Sequence, residues 1–224
     1  MTFPVLSASN PSGYNLNRSL RFRSSASASL TKTLTTPTNG KIWTMSFWCK
    51  ISNGASSYVA FQANNGTNAS WLTIGSNGIT LTRGVVGVSI TWNTVTSSIY
   101  RDPSSWYHAV WVYDSTQSTA SNRIKFYVNG VQVTSSGTYP SLNEVTEIDS
   151  AYLHTFMNGN AIGSLDGYMT EVNFIDGQAL TPSSFGAYNA ITGVWQPTKY
   201  TGTYGTNGFY LNFNNNASTT TLGY

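Results

Sequence analysis

Lys41-Ile-Trp-Thr-Met-Ser-Phe-Trp-Cys-Lys50 is the stretch whose reading decides the fold. Trp43, Met45, Phe47 and Cys49 fall on one side of an extended chain and Ile51 continues the series, while Ser46, Trp48 and Lys50 fall on the other. Side chains alternate across a strand with a period of two, so this pattern predicts a strand with one buried face. Trp106-Tyr-His-Ala-Val-Trp-Val-Tyr113 is apolar on both faces, as suits a central strand covered from both sides. Ile79 and Leu81 alternate with Thr80 and Thr82, and Val86, Val88 and Ile90 alternate with Gly87, Ser89 and Thr91. Arg83-Gly84 between those two runs reads as a tight turn.

The sharpest local prediction is a hairpin in Ile124-Lys-Phe-Tyr-Val-Asn-Gly-Val-Gln-Val133. Asn129 and Gly130 both tolerate positive φ, which a type I′ turn requires. A two-residue loop pairs Val128 with Val131 and Phe126 with Val133, and puts these side chains on one face with Ile124. Leu165-Asp-Gly-Tyr-Met-Thr-Glu-Val-Asn-Phe-Ile-Asp-Gly-Gln-Ala-Leu180 carries a further long strand. Loops are expected at Ser52–Ser57, Asn64–Ser70 and Ser115–Asn122. Thr181-Pro-Ser-Ser-Phe-Gly-Ala-Tyr188 is the one place for a short helix, with Thr181 as cap and Pro182 in its first turn. Phe209, Leu211 and Phe213 alternate as a final strand.

Composition narrows the function classes. A chain of 224 residues suits one large all-β domain, and 40% apolar with 14% aromatic residues supplies a sizeable core. Charged residues make up 8%, against roughly 25% in ordinary soluble domains. Ser, Thr, Asn and Gly take their place, so the surface is polar but mostly uncharged. A net charge of +3 without a basic run argues against nucleic acid as a partner. No apolar run reaches the ~20 residues of a membrane helix, and no membrane partner is expected. The beginning of the sequence lacks the basic start and apolar core of a signal peptide. Cys49 is the single cysteine, so no intrachain disulfide forms, and its strand phase makes it a buried thiol.

Taken in order, these aromatic stretches resemble the concanavalin A-like (laminin G-like) jelly rolls, from Ser19 to Phe213. The resemblance implies an all-β jelly-roll β-sandwich of two antiparallel sheets over residues 18–213. Residues 1–17 then read as an N-terminal arm, and residues 214–224 as a C-terminal tail leading toward further sequence. Within that family, Ser19-Leu-Arg-Phe22, Trp43-Thr-Met-Ser-Phe-Trp48, Gly167–Gly186 and Lys199-Tyr-Thr-Gly-Thr-Tyr-Gly-Thr-Asn-Gly-Phe-Tyr-Leu-Asn-Phe213 resemble virion proteins of tailed bacteriophages. That closer likeness implies a non-enzymatic structural protein of a virion, on the capsid or at a fibre base. It would be made in the host cytoplasm and act by packing against other virion proteins as a homo-oligomer. The alternative it leaves open is a lectin-like tail-fibre module that binds a host surface glycan.

Candidate chemistry is sparse. Glu147-Ile148-Asp149, if extended, projects two carboxylates on one face, as in the Glu-x-Asp-x-x-Glu signature of glucanases with this fold. The third carboxylate is missing, because Ala151 and Tyr152 stand where it should fall. Retaining glycosidases need a paired acid and nucleophile, and no catalytic residue is assigned. His108 and His154 lack carboxylates at close spacing, and His108 reads as a hydrogen-bonded core histidine. Asp166 and Asp176 sit beside Gly in apparent turns, where a carboxylate usually bonds its own backbone. No metal and no cofactor is expected. Aromatic side chains are the remaining lead, since Trp and Tyr serve both sugar stacking and protein contacts. Trp92, Tyr100, Trp195, Tyr200 and Tyr204 lie in irregular or turn-rich segments and are the candidate contacts for a glycan or partner.

Overall fold

A computed structural model describes residues 14–52, 57–157 and 166–215. Alternation along the aromatic stretches is realised as strands, except that the final one ends at Leu211 and Phe213 takes a φ of +56°. The chain runs β1 (Leu20–Phe22), β2 (Leu30–Thr33), β3 (Ile42–Ile51), β4 (Ser57–Asn64), β5 (Asn68–Gly75), β6 (Gly78–Val85), β7 (Ser89–Thr96) and β8 (Tyr107–Asp114). It continues as β9 (Ile124–Val128), β10 (Val131–Val133), β11 (Ser135–Gly137), β12 (Leu153–Phe156), β13 (Gly167–Asp176), β14 (Gly186–Tyr188), β15 (Trp195–Pro197) and β16 (Phe209–Leu211).

Among the described residues these strands make two main antiparallel sheets. The first has the order β1-β13-β3-β8-β9-β10, with β16 also on β13. Both β1 and β16 lie along one edge of β13: β1 pairs Gly167–Met169 and β16 pairs Val172–Phe174. Between them β13 shifts register against β3, from Thr170 to Asn173, and Glu171 takes a φ of +52°. The second sheet has the order β11-β7-β6-β5-β4-β12-β2, and β14 pairs β15 as a separate ribbon. The protein is an all-β jelly-roll sandwich, as its sequence implied.

The core lies between the sheets. Trp43, Met45, Phe47, Cys49 and Ile51 of β3 are all fully buried, facing Phe61, Leu72, Ile74 and Leu81 of the second sheet. Trp43 stacks on Tyr113 at 5.2 Å and Phe47 on Trp111 at 5.0 Å, the offset ring geometry that adds to burial. Burial pushes the Cys49 thiol up to about 12, so it stays neutral. On the opposite face of the first sheet, Val110, Val112 and Ile175 are buried with Phe185. They are covered by the segment that follows β13, through Leu180, Tyr200 and Tyr204. That cover is why β8 is apolar on both faces.

The Asn129-Gly130 hairpin has the expected register: Val128 opposes Val131 and Phe126 opposes Val133, with φ of +48° and +84° at the two turn residues. Three local expectations fail. Arg83-Gly84 is not a turn but part of β6, where Arg83 opposes Trp92 across the ladder. The reversal falls at Val86-Gly87, where Val88 N–H bonds Val85 C=O and Gly87 takes φ +71°. Gly87 supplies the turn conformation, while the glycine at 84 sits where a Cβ would meet the Ser89 carbonyl at 2.6 Å. The second is the helix at 181–188. Only Pro182–Ser184 is helical, as a single 3-10 turn that Thr181 precedes without a side-chain cap bond. Gly186–Tyr188 instead pairs with Trp195–Pro197. The expected loop at Asn64–Ser70 shrinks to a turn closed by Asn65, since β5 already begins at Asn68. Part of the loop after Ser52, residues 1–13 of the arm and residues 216–224 of the tail lie outside the described residues.

Candidate functional site

Strand phase places Thr170, Trp48 and His108 side by side on the outer face of the first sheet. Trp48 shares a face with Ser46 and opposes both Thr170 of β13 and His108 of β8. Trp106 precedes β8 by one residue and is in phase with His108. The segment covering this outer face stops at β15, and residues 14–19 pass on the other side. Between them lies an open cleft of about 430 Å³. Trp48, Trp106 and Thr170 are in its wall, with Gln196 and Pro197 on one flank and Asn15, Asn17 and Arg18 on the other.

Each wall is fixed by specific bonds. On the β15 side, Trp195 lies over His108 at 5.9 Å and its indole N–H donates to His108 Nδ1 at 2.9 Å. That leaves Nε2 as the protonated nitrogen, 2.9 Å from Ser46 Oγ. His108 is fully buried, and burial pulls its pKa down to about 3, so the ring is neutral. Trp48 stacks on the same imidazole at 5.0 Å. On the other side Thr170 Oγ1 donates to the Arg18 carbonyl at 2.7 Å. Tyr14 donates to Glu171 Oε2 at 2.7 Å, while Tyr210 donates to Oε1 at 2.6 Å. Burial raises the Glu171 pKa, against the lowering effect of these two hydroxyls. Residues 14–18 therefore form a strap docked on the sandwich. The positive φ of Glu171 is unusual for a non-glycine residue, and it turns the carboxylate toward the strap.

The chemistry of the cleft is aromatic and amide-rich. Of the seven tryptophans, only Trp106 counts among the exposed large hydrophobics, at 37%. It has no ring partner and no hydrogen bond among the described residues. Trp48 is mostly buried, and its indole N–H has no acceptor among the described residues. No Asp or Glu lines the cleft.

The aromatic residues singled out from sequence fare differently. Trp92 is 3% exposed, packs in the main core and donates to Glu144 Oε1 at 2.8 Å. Tyr100 is 7% exposed and packs edge-on against Tyr107. Both are corrected to interior positions: phase and a ring partner bury them despite irregular flanking sequence. Trp195, Tyr200 and Tyr204 are half-buried and belong to the cover over the first sheet. Trp195 is clamped between two glycines, since a Cβ at Gly130 or Gly186 would come within 2.5 Å of its ring. Tyr204 donates to Asn173 Oδ1 at 2.9 Å and packs at right angles on Tyr200. The structure brings these three to one face but gives them structural partners. Trp48 and Trp106 were missed, although both are out of phase with the core-facing residues of their strands.

The acidic residues are engaged elsewhere. Glu147 accepts from Arg83 Nε at 3.1 Å and Nη2 at 3.0 Å, and from Ser70 Oγ at 2.5 Å. Glu147–Asp149 is a 3-10 turn, not a strand, and Asp149 goes to a different set of partners. It meets Asn207 Nδ2 at 3.2 Å and hydrogen-bonds Asp176. Asp176 accepts backbone N–H bonds from Thr38, Asn39 and Asn207 at 2.7–3.1 Å. Among the described residues no group of three or more His, Cys, Asp or Glu is placed to hold a metal.

A search of curated proteins returned no match. Among solved structures, the heptameric SAP-like pentraxin of Limulus polyphemus is similar at 16% identity and TM-score 0.48, over 68% of this chain and 71% of that one. Mouse laminin α1 domains LG4-5 give 13% identity and TM-score 0.47, over 68% of this chain and 42% of theirs. The Ruminococcus gnavus IT-sialidase CBM40 bound to α2,3-sialyllactose gives 12% and 0.42, over 70% and 95%. A family profile described as the concanavalin A-like lectin/glucanases superfamily matches residues 22–184, which span both main sheets from Phe22 of β1 to Ser184. The chain belongs to the concanavalin A-like lectin/glucanase superfamily.

Proposed function

We propose that this domain is a non-catalytic carbohydrate-binding module whose ligand enters the Trp48–Trp106 cleft. The observation that carries the reading is Trp106, an exposed indole standing in a cleft with Asn, Gln and Thr side chains. A flat aromatic face beside amides and hydroxyls suits a sugar ring, which offers apolar C–H faces and a rim of hydroxyls. Membership of a lectin and glucanase superfamily agrees with it at the level of ligand class. Hydrolysis is not favoured: the cleft has no carboxylate in its wall, and Glu147 is tied to Arg83 and Ser70. A glycan array tests the proposal. Wild type should give a defined set of hits, and Trp106→Ala should lose them by at least ten-fold while keeping its melting temperature. Equal binding by the variant would place any sugar site elsewhere.

A second reading follows the likeness to phage virion proteins, in which the sandwich packs on neighbouring subunits of a particle. Two exposed apolar groups favour it. Val86, Val88 and Ile90 are 44%, 77% and 61% exposed at the β6–β7 turn, and Ile191 and Val194 are 92% and 57% exposed between β14 and β15. Apolar side chains grouped in this way mark contact surfaces. Under this reading the isolated domain self-associates, and Val88→Glu with Ile90→Glu shifts it to monomer in sedimentation. A wild-type chain that is monomeric at high concentration would count against it.

A further inference from the structure

We infer that the cleft selects an acidic sugar, with Arg18 as the residue that reads its carboxylate or sulfate; this rests on the carbohydrate reading above. Arg18 lies on the cleft wall opposite Gln196, on the strap. Its guanidinium has no ion pair and no hydrogen bond among the described residues. Arg21, Arg83 and Arg123 have such partners, and of the unpaired Arg18, Arg23 and Arg101 only Arg18 lines the cleft. The backbone beneath it is held in place, because the Arg18 carbonyl accepts from Thr170 and the strap is anchored again at Tyr14. An unpaired guanidinium on an anchored backbone is a prepared anion contact, and its planar fork suits a carboxylate or sulfate.

The surrounding charges sharpen this. No Asp or Glu lines the cleft, so Arg18 is its one formal charge. Glu171 stands with Arg18 in the wall of the adjoining 340 Å³ cavity, but both its oxygens accept tyrosine hydroxyls and none accepts from Arg18 among the described residues. Asp102, near Trp106 in sequence, is held by Ser104 and Ser105 and lies outside the lining. In a chain with only 8% charged residues, an unpartnered arginine beside the one exposed tryptophan points to a ligand that carries the missing negative charge. The ring would lie on Trp106, and its acidic substituent would reach Arg18.

The test is isothermal titration of wild type, Arg18→Gln and Trp106→Ala with three matched probes. These are a neutral galactan oligosaccharide, the corresponding oligogalacturonate and a sulfated galactan oligosaccharide. The expected result is that one or both acidic probes bind wild type more tightly than the neutral probe. Arg18→Gln then removes that advantage, a loss of about ten- to hundred-fold, since hydrogen bonds to charged groups are the stronger class. Whichever acidic probe shows the loss identifies the group as carboxylate or sulfate. Neutral and acidic probes binding alike, unaffected by Arg18→Gln, would overturn the acidic preference and leave the carbohydrate reading intact. Acidic probes that bind Trp106→Ala as well as wild type would show ion association outside the cleft, which also overturns it. No binding of any sugar, here or on the glycan array, would sink both readings.

Discussion

At the scale of single residues, the Asp149–Asp176 pair makes the fold sensitive to pH. Burial and the neighbouring Asp176 charge push Asp149 up to about 8, so it keeps its proton where an exposed Asp is ionised. Its Oδ2 is buried without any donor directed at it, as suits an oxygen that itself carries the proton. For Asp176, burial acts upward, but the backbone N–H bonds and Asp149 outweigh it and hold its pKa below the usual value. Asp149 binds its proton more tightly when folded, so its contribution is full below about 4 and falls as pH rises toward about 8. Asp176 acts oppositely, contributing above its unfolded pKa and losing that contribution in acid. Below about pH 6.5 the buried neutral His108 and His154 act in the opposite sense, because the unfolded chain then holds their protons. Urea unfolding should therefore show the Asp149 decline between about pH 6.5 and 8, by about 2 kcal/mol, since each pH step over which the folded chain holds one extra proton costs about 1.4 kcal/mol. Asp149→Asn, which can donate to Asp176 and carries no charge, should flatten that slope. A variant as pH-sensitive as wild type would mean another group sets the dependence.

Trp195 shows what one element can require of a residue in another sheet. The Asn129-Gly130 turn carries no side chain at Gly130, and the Trp195 ring occupies the space a Cβ would need. Gly130→Ala meets both a φ of +84° and a contact at 2.5 Å. The backbone cost alone is about 1–2 kcal/mol, and displacement of Trp195 from His108 adds to it. Denaturation midpoints and tryptophan fluorescence should both shift, and an unchanged emission spectrum would count against the clamp. The turn itself was legible because its residue types and the flanking alternation agree on one register. The clamp was not, since nothing in Gly186 or Trp195 announces a partner more than fifty residues away. The same limit explains the β6–β7 turn. Arg83-Gly84 and Val86-Gly87 are equally plausible locally, and only pairing with β7 and the Arg83–Glu147 ion pair keep Arg83 in the strand. The strap is also a tertiary construction, because Tyr14 reaches Glu171 across 157 positions.

For the whole molecule, sequence phase determined the sandwich, while two of the aromatics picked out by their irregular flanks lie in the core. Alternation in Ile42–Ile51 and Tyr107–Asp114 identifies which side chains fill the core, and the structure buries them. Irregular flanks then suggested exposure for Trp92 and Tyr100, which tertiary packing covers. The better signal was within the strands. Trp48 and Trp106 occupy the phase opposite the core, so each must meet either a cover or solvent. The segment after β13 covers Val110 and Val112 and ends before Trp106, and that boundary creates the cleft. Under the proposed carbohydrate reading, binding chemistry arises where a second layer stops short on the outer face of a sheet.

The most direct test of that claim is an NMR titration of indole N–H resonances with the strongest glycan-array ligand. The account predicts that the Trp106 signal moves saturably, with Trp48 following, while Trp43, Trp92 and Trp111 stay in place. Shifts centred instead on Trp71, with Trp106 unmoved, would contradict it and assign ligand binding to the opposite sheet.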